Sequence, residues 1–143
     1  DIHEEYGLGE TYTTENTVIQ QLWYTDKEVD FEELGRQTKM EVITLSSILQ
    51  PPGNTIALHR DTFFQIKKRF PNDKRLKVRA NIYLQDWIVG HMLQYKSEED
   101  GIWKTSDNWK AGEGFIWDSK PLHLSANAGM KNKYTLQISG FLL

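Results

Sequence analysis

Lys77-Val78-Arg79-Ala80-Asn81-Ile82-Tyr83-Leu84-Gln85 alternates with a period of two: Val78, Ala80, Ile82 and Leu84 fall on one side, Arg79, Asn81 and Tyr83 on the other. Successive side chains of a strand point to opposite faces, so this stretch reads as a β-strand with one apolar and one polar face. Two further segments repeat the pattern. Between Pro121 and Asn127, the residues His123, Ser125 and Asn127 share a face, and between Lys133 and Ser139 the residues Lys133, Thr135, Gln137 and Ser139 oppose Tyr134, Leu136 and Ile138. Taken alone, each polar face suits a water-exposed surface equally well. Three together suit a small barrel with a polar lumen at one end.

Working outward, short β-rich runs occupy Met40–Leu49, Asn54–His59, Val89–Tyr95 and Gly114–Asp118. Turn clusters separate them, at Pro51-Pro52-Gly53, Pro71-Asn72-Asp73, 96–101, 105–108 and 127–132. Many short strands at this spacing predict a mainly β protein, an antiparallel barrel or sandwich with jelly-roll topology. Residues 1–39 differ. Thr14–Thr25 and Glu28–Gly35 carry apolar residues at mixed helical spacing, with Thr or Asp caps and a terminal glycine, and predict one or two helices. With no repeat and no low-complexity linker, residues 1–143 are expected to form a single domain, 1–39 as helical N-terminal support and 40–143 as the β core.

Composition narrows the function classes. A net charge of −3 and a pI near 5.8 argue against general affinity for phosphate backbones. The basic cluster Lys67-Lys68-Arg69 with Lys74, Arg75 and Lys77 reads as a solvated helix end and turn, and nucleic acid is not the expected partner. The absence of cysteine removes disulfides, thiolate metal sites and cysteine nucleophiles together. No apolar run approaches the roughly 20 residues of a membrane span, and the first residues lack a charged-then-apolar signal pattern. A cytoplasmic or otherwise soluble protein acting on a small molecule or a peptide is the expectation. The missing initiator Met suggests trimming.

His59, Asp61 and His123 form an H-x-D…H set. Two imidazoles and a carboxylate can hold one face of an octahedral iron(II) and leave the opposite face open. The H-x-D spacing puts His59 and Asp61 on one strand face, and His123 is expected from a strand across the barrel. His91 is the competing ligand, suited to a three-histidine site if Asp61 is not used. His59-Arg60-Asp61 also matches the HRD string of protein kinases. Without a glycine-rich loop or a DFG, that match is chance.

Gly53-Asn54-Thr55-Ile56-Ala57-Leu58-His59-Arg60-Asp61 and the segment from Gly114 through His123 to Asn127 resemble the two metal-binding motifs of double-stranded β-helix proteins. With Lys133 ten positions after His123, the order resembles that of the iron(II)- and 2-oxoglutarate-dependent oxygenases, a cupin-like superfamily. Pro51-Pro52-Gly53 and Arg79-x-Asn81 are similar to its aspartyl/asparaginyl and prolyl hydroxylase-like branches. The resemblance implies Fe(II), 2-oxoglutarate as cosubstrate and O2, with hydroxylation of a substrate and release of succinate and CO2. It also implies that Lys133 binds the far carboxylate of the cosubstrate, where Arg is the usual occupant. Tyr83 or Thr135 would add a hydroxyl there, Asn81 or Asn127 would orient the metal-bound carboxylate, and Arg79 would bind that carboxylate or an anionic substrate. Trp87, Trp109 and Trp117 wall the pocket or, on the simpler reading, fill the core.

Three functions separate on geometry. A 2-oxoglutarate-dependent hydroxylase needs Asp61 at the metal and Lys133 facing it. A cupin-type metal enzyme without 2-oxoglutarate would point Lys133 outward and bring His91 to the metal. A metal-free binding barrel would leave His59, Asp61 and His123 apart.

Overall fold

The computed structural model describes residues 20–143. Along this span run β1 (Gln20–Tyr24), α1 (Phe31–Thr38), β2 (Met40–Gln50), β3 (Thr55–His59), α2 (Phe64–Arg69), β4 (Lys77–Tyr83), β5 (His91–Lys96), β6 (Trp103–Ser106), β7 (Gly114–Trp117), β8 (His123–Asn127) and β9 (Lys133–Leu142). Two antiparallel sheets result. The first has the order β1-β2-β9-β4-β7 and the second β3-β8-β5-β6. The expected mainly β jelly roll is what the chain forms.

The alternation of β4 decides how the first sheet sits. Val78 and Ala80 pack with Met40, Leu45 and Ile138 in a buried cluster, and Phe31 and Leu34 of α1 close over it. Arg79, Asn81 and Tyr83 therefore turn the other way, toward the second sheet. Their partners on β9 are Ser139, Gln137 and Thr135, and β9 is paired in turn with Thr44, Ser46, Ile48 and Gln50 of β2 through Ser139, Gln137, Thr135 and Lys133. A polar inner face thus crosses three strands.

The N-terminal support is only partly helical. Residues 20–24 of the expected helix over Thr14–Thr25 form strand β1 instead, and the start of that helix lies outside the described residues. Leu22 and Trp23 stay largely exposed, so little amphipathic gain holds the segment 20–24 helical. Pairing along β2, from Gln20↔Leu49 to Tyr24↔Leu45, satisfies its backbone instead. The second helix begins later than expected. Asp30 caps it by accepting from the Glu33 N–H at 3.0 Å, and the helix continues past Gly35 to a left-handed Lys39. Gly35 lies inside because a Cβ there would meet the Met40 carbonyl oxygen at 2.5 Å.

Strand β6 runs into the turn cluster expected at 105–108, and the short α2 directly follows the H-x-D segment and ends at Lys67-Lys68-Arg69, the cluster expected to be a helix end. Phe63 starts α2 in a left-handed conformation at φ 52°, costly for a bulky residue, and is held there by burial against Ile66 and Phe141. That turn swings the chain off the line of β3 just after Asp61. Among the described residues no helix is long and apolar enough to cross a membrane.

Candidate metal centre and ligand cavity

A cavity of about 360 Å³ opens between the two sheets and contains His59, Asp61 and His123 together with Arg79, Asn81, Ser125, Lys133 and Thr135. His59 ends β3 and His123 begins β8, and the two are direct cross-strand partners. The second histidine therefore comes from the adjacent strand, not from across the barrel. Strand pairing brings the two rings to a centroid separation of 4.2 Å, and Asp61, two residues on, projects to the same side. One ligand atom from each of the three lies within 4.8 Å of the others.

The hydrogen bonds define what these atoms can do. His59 Nδ1–H donates to the Ala57 carbonyl at 2.7 Å and His123 Nδ1–H to the Pro121 carbonyl at 3.0 Å. A carbonyl only accepts, so each neutral imidazole carries its lone pair on Nε2. Both Nε2 atoms lie 3.4 Å from Asp61 Oδ1. Three acceptors facing one another at this range repel unless protons or a cation lie among them. Donors of a divalent ion at about 2.1 Å sit roughly 3 Å apart when at right angles, so a small contraction of this set would grip one ion. The residues fit a metal.

Asp61 is buried, and both its oxygens are engaged. Oδ1 accepts from Arg79 Nη1 at 2.9 Å, and Oδ2 accepts from the Trp117 indole N–H at 2.8 Å. Burial alone would push the carboxyl up; hydrogen bonds from His123 and His59, donated when a second proton occupies Nε2, and the charge of Arg79 outweigh it and hold Asp61 well below the usual carboxylate range. Arg79 is itself fixed, with Nε donating to Ser139 Oγ at 2.8 Å and the guanidinium 5.2 Å over the Phe63 ring.

At the other end of the cavity the side chain of Lys133 is buried without an acidic partner among the described residues. Its Nζ donates to Ser125 Oγ at 3.0 Å, Gln50 Oε1 at 3.3 Å and Thr135 Oγ1 at 3.3 Å. The ammonium also lies 5.7 Å over the rings of Tyr83 and Trp109, which stack in parallel at 3.7 Å. Desolvation pushes its pKa down to about 8. Ser125 is two residues from His123 on the same strand face, roughly 7 Å along it. The ammonium is thus about one small-molecule length from the histidines.

The other expected site residues divide. Thr135 reaches Lys133 by its hydroxyl. Tyr83 meets Lys133 with its ring, because its hydroxyl donates outward to Ser106 Oγ at 3.2 Å. Asn81 lines the cavity, and its buried Nδ2 has no hydrogen-bond partner among the described residues. Asn127 does not bind there: its Nδ2 donates to the Gln50 and Lys131 carbonyls and its Oδ1 accepts from the Gly129 N–H, tying off the turn after β8. His91 is far from a ligand role, with Nε2 committed to the Lys131 carbonyl at 2.8 Å. Gln50 and Trp117 escaped the sequence reading as partners of Lys133 and Asp61. Gln50 shares a β2 face with Thr44, Ser46 and Ile48, a periodicity that was available; nothing local marks Trp117.

No family model matches the sequence, and no curated protein matches it. Among solved structures, a prolyl-4-hydroxylase from Pseudomonas putida superposes with a TM-score of 0.65 at 19% identity, over 99% of this chain and 81% of that one. A cupin domain from Bordetella pertussis Tohama I gives 0.50 at 13% identity, over 87% and 94%. The chain has the cupin fold. A chain of the structure of Drosophila melanogaster CENP-C bound to CAL1 superposes as well, with a TM-score of 0.51 at 10% identity over 97% of this chain and 92% of that one. A cupin barrel thus carries no function by itself, and function rests on the residues inside it.

Proposed function

We propose that this cupin is an Fe(II)- and 2-oxoglutarate-dependent dioxygenase that hydroxylates its substrate. The observation that carries the reading is the pairing of two features in one cavity: a convergent two-histidine, one-carboxylate set, and a buried lysine with no acidic counterpart among the described residues. Fe(II) held by His59, Asp61 and His123 would supply the O2 chemistry that couples decarboxylation of 2-oxoglutarate, to succinate and CO2, with hydroxylation of a C–H bond.

The chain's own residues then have distinct tasks. Lys133 neutralises the far carboxylate of the cosubstrate as a point charge, with Thr135 and Ser125 holding the ammonium on line. Asn81 offers a free amide N–H₂ to an oxygen of whatever occupies the middle of the cavity. Arg79 keeps Asp61 ionised for the metal. The stacked Tyr83 and Trp109 keep water from the ammonium.

The test is succinate formation from 2-oxoglutarate with Fe(II) and ascorbate, with and without a panel of peptides and small metabolites. Iron-dependent succinate above the metal-free control is expected even without the prime substrate. Metal binding with no succinate and no 2-oxoglutarate affinity would overturn the reading in favour of a cupin enzyme that does without this cosubstrate.

A further inference from the structure

The two oxygens of Asp61 are not equivalent. Oδ1 faces both histidine Nε2 atoms and Arg79, whereas Oδ2 turns away and accepts the Trp117 indole N–H at 2.8 Å. Trp117 ends β7 and is 8% exposed; its ring lies 4.4 Å from that of His123 and is backed by Phe115 and Tyr95. An indole wedged in this way cannot follow a rotating carboxylate.

We propose that Trp117 is a positioning residue that fixes Asp61 as a one-oxygen ligand and so keeps three metal positions open. A carboxylate free to rotate can chelate through both oxygens. Six-coordinate iron holding two histidines and a chelating carboxylate has two positions left, too few for a two-point ligand together with a third molecule. A hydrogen bond to Oδ2 opposes that rotation by making the second oxygen a poorer donor and holding it off the metal. Arg79 cannot do this, since it bonds the oxygen that faces the histidines. The inference rests on the triad as a metal site and is independent of 2-oxoglutarate.

The test uses Co(II) alone as the probe, followed by calorimetry and by the visible absorption of the bound ion, which reports coordination number. Trp117→Phe keeps an aromatic ring and removes the N–H. It is expected to weaken Co(II) binding roughly tenfold, the lower end for loss of an outer-shell partner, and to change the Co(II) spectrum. Trp87→Phe is the control: its indole donates to the His91 carbonyl at 2.9 Å, away from the metal ligands. It is expected to leave both readouts within about twofold of wild type.

Unchanged affinity and spectrum in Trp117→Phe would overturn the role of Trp117 while leaving the metal site standing. Equal losses in both variants would also overturn it, as a general packing effect. Failure of the wild type to bind Co(II) would overturn the metal site and this inference together.

Discussion

The cavity buries two charges and treats them in opposite ways. Asp61 meets Arg79 at 2.9 Å, the Trp117 N–H at 2.8 Å and two imidazoles at 3.4 Å. Lys133 meets three neutral oxygens and two ring faces. A buried carboxylate bonded to a guanidinium and an indole N–H is held as an anion before any ligand arrives, with the two imidazole lone pairs left for a cation. A buried ammonium without an anion is held at a cost that a carboxylate in the cavity would relieve. One end is assembled in advance; the other is completed by what binds.

Removing a triad member should break the assembled end most severely. Asp61→Ala and His59→Ala are expected to lower metal affinity by more than roughly a hundredfold, beyond the loss of an outer-shell partner, and to abolish iron-dependent turnover. Wild-type metal titrations in either variant would show that the three do not act together.

The incomplete end should respond in the opposite sense. With a folded pKa near 8 against an ordinary 10.5, the unfolded chain binds more protons between those values, so stability rises with pH across that window. At pH 7 burial of the charge costs roughly 3 kcal/mol. Lys133→Met should therefore melt higher than wild type at pH 7, with the advantage shrinking from pH 8 to 10.5. The same variant should raise the KM for 2-oxoglutarate roughly tenfold or more, from loss of a charge-assisted contact, with metal affinity unchanged. A lower melting temperature would mean that Lys133 is already compensated, and an unchanged KM would pass the anchor to Arg79.

Arg79→Gln should destabilise the metal-free protein by roughly 2 kcal/mol, less than for a fully buried pair because Arg79 is partly exposed. Saturating Co(II) should recover most of that loss by supplying the missing positive charge, as read from paired thermal melts. The smallest effect is expected at Asn81, where Asn81→Ala should raise the KM for 2-oxoglutarate or the prime substrate a few-fold. No change in either would leave its amide without a ligand partner.

Much of this cavity is legible in strand periodicity. The alternation of Arg79, Asn81 and Tyr83 and of Lys133, Thr135, Gln137 and Ser139 gives the inner face directly, because a strand allows each side chain only two directions. The proximity of His59 to Asp61 follows from the same rule. Contacts between strands distant in sequence do not: the β3–β8 pairing, Trp117 with Asp61 and Gln50 with Lys133 depend on which strands the sheets bring together. The spacing over Thr14–Thr25 predicts a helix, but pairing with β2, not that spacing, decides the state of residues 20–24. Helix α2 is too short for periodicity and begins at a left-handed phenylalanine, a start that no capping residue announces.

The β3–β8 ladder is irregular between Ile56 and His59, and pairing resumes only at the His59↔His123 pair. An ion bridging those two rings would rivet the two strand ends together where the backbone ladder is weakest. Loading the site should then slow amide exchange at the end of β3 more than in the long β2–β9 pairing, making the metal a structural member of the sheet as well as an occupant of its cavity.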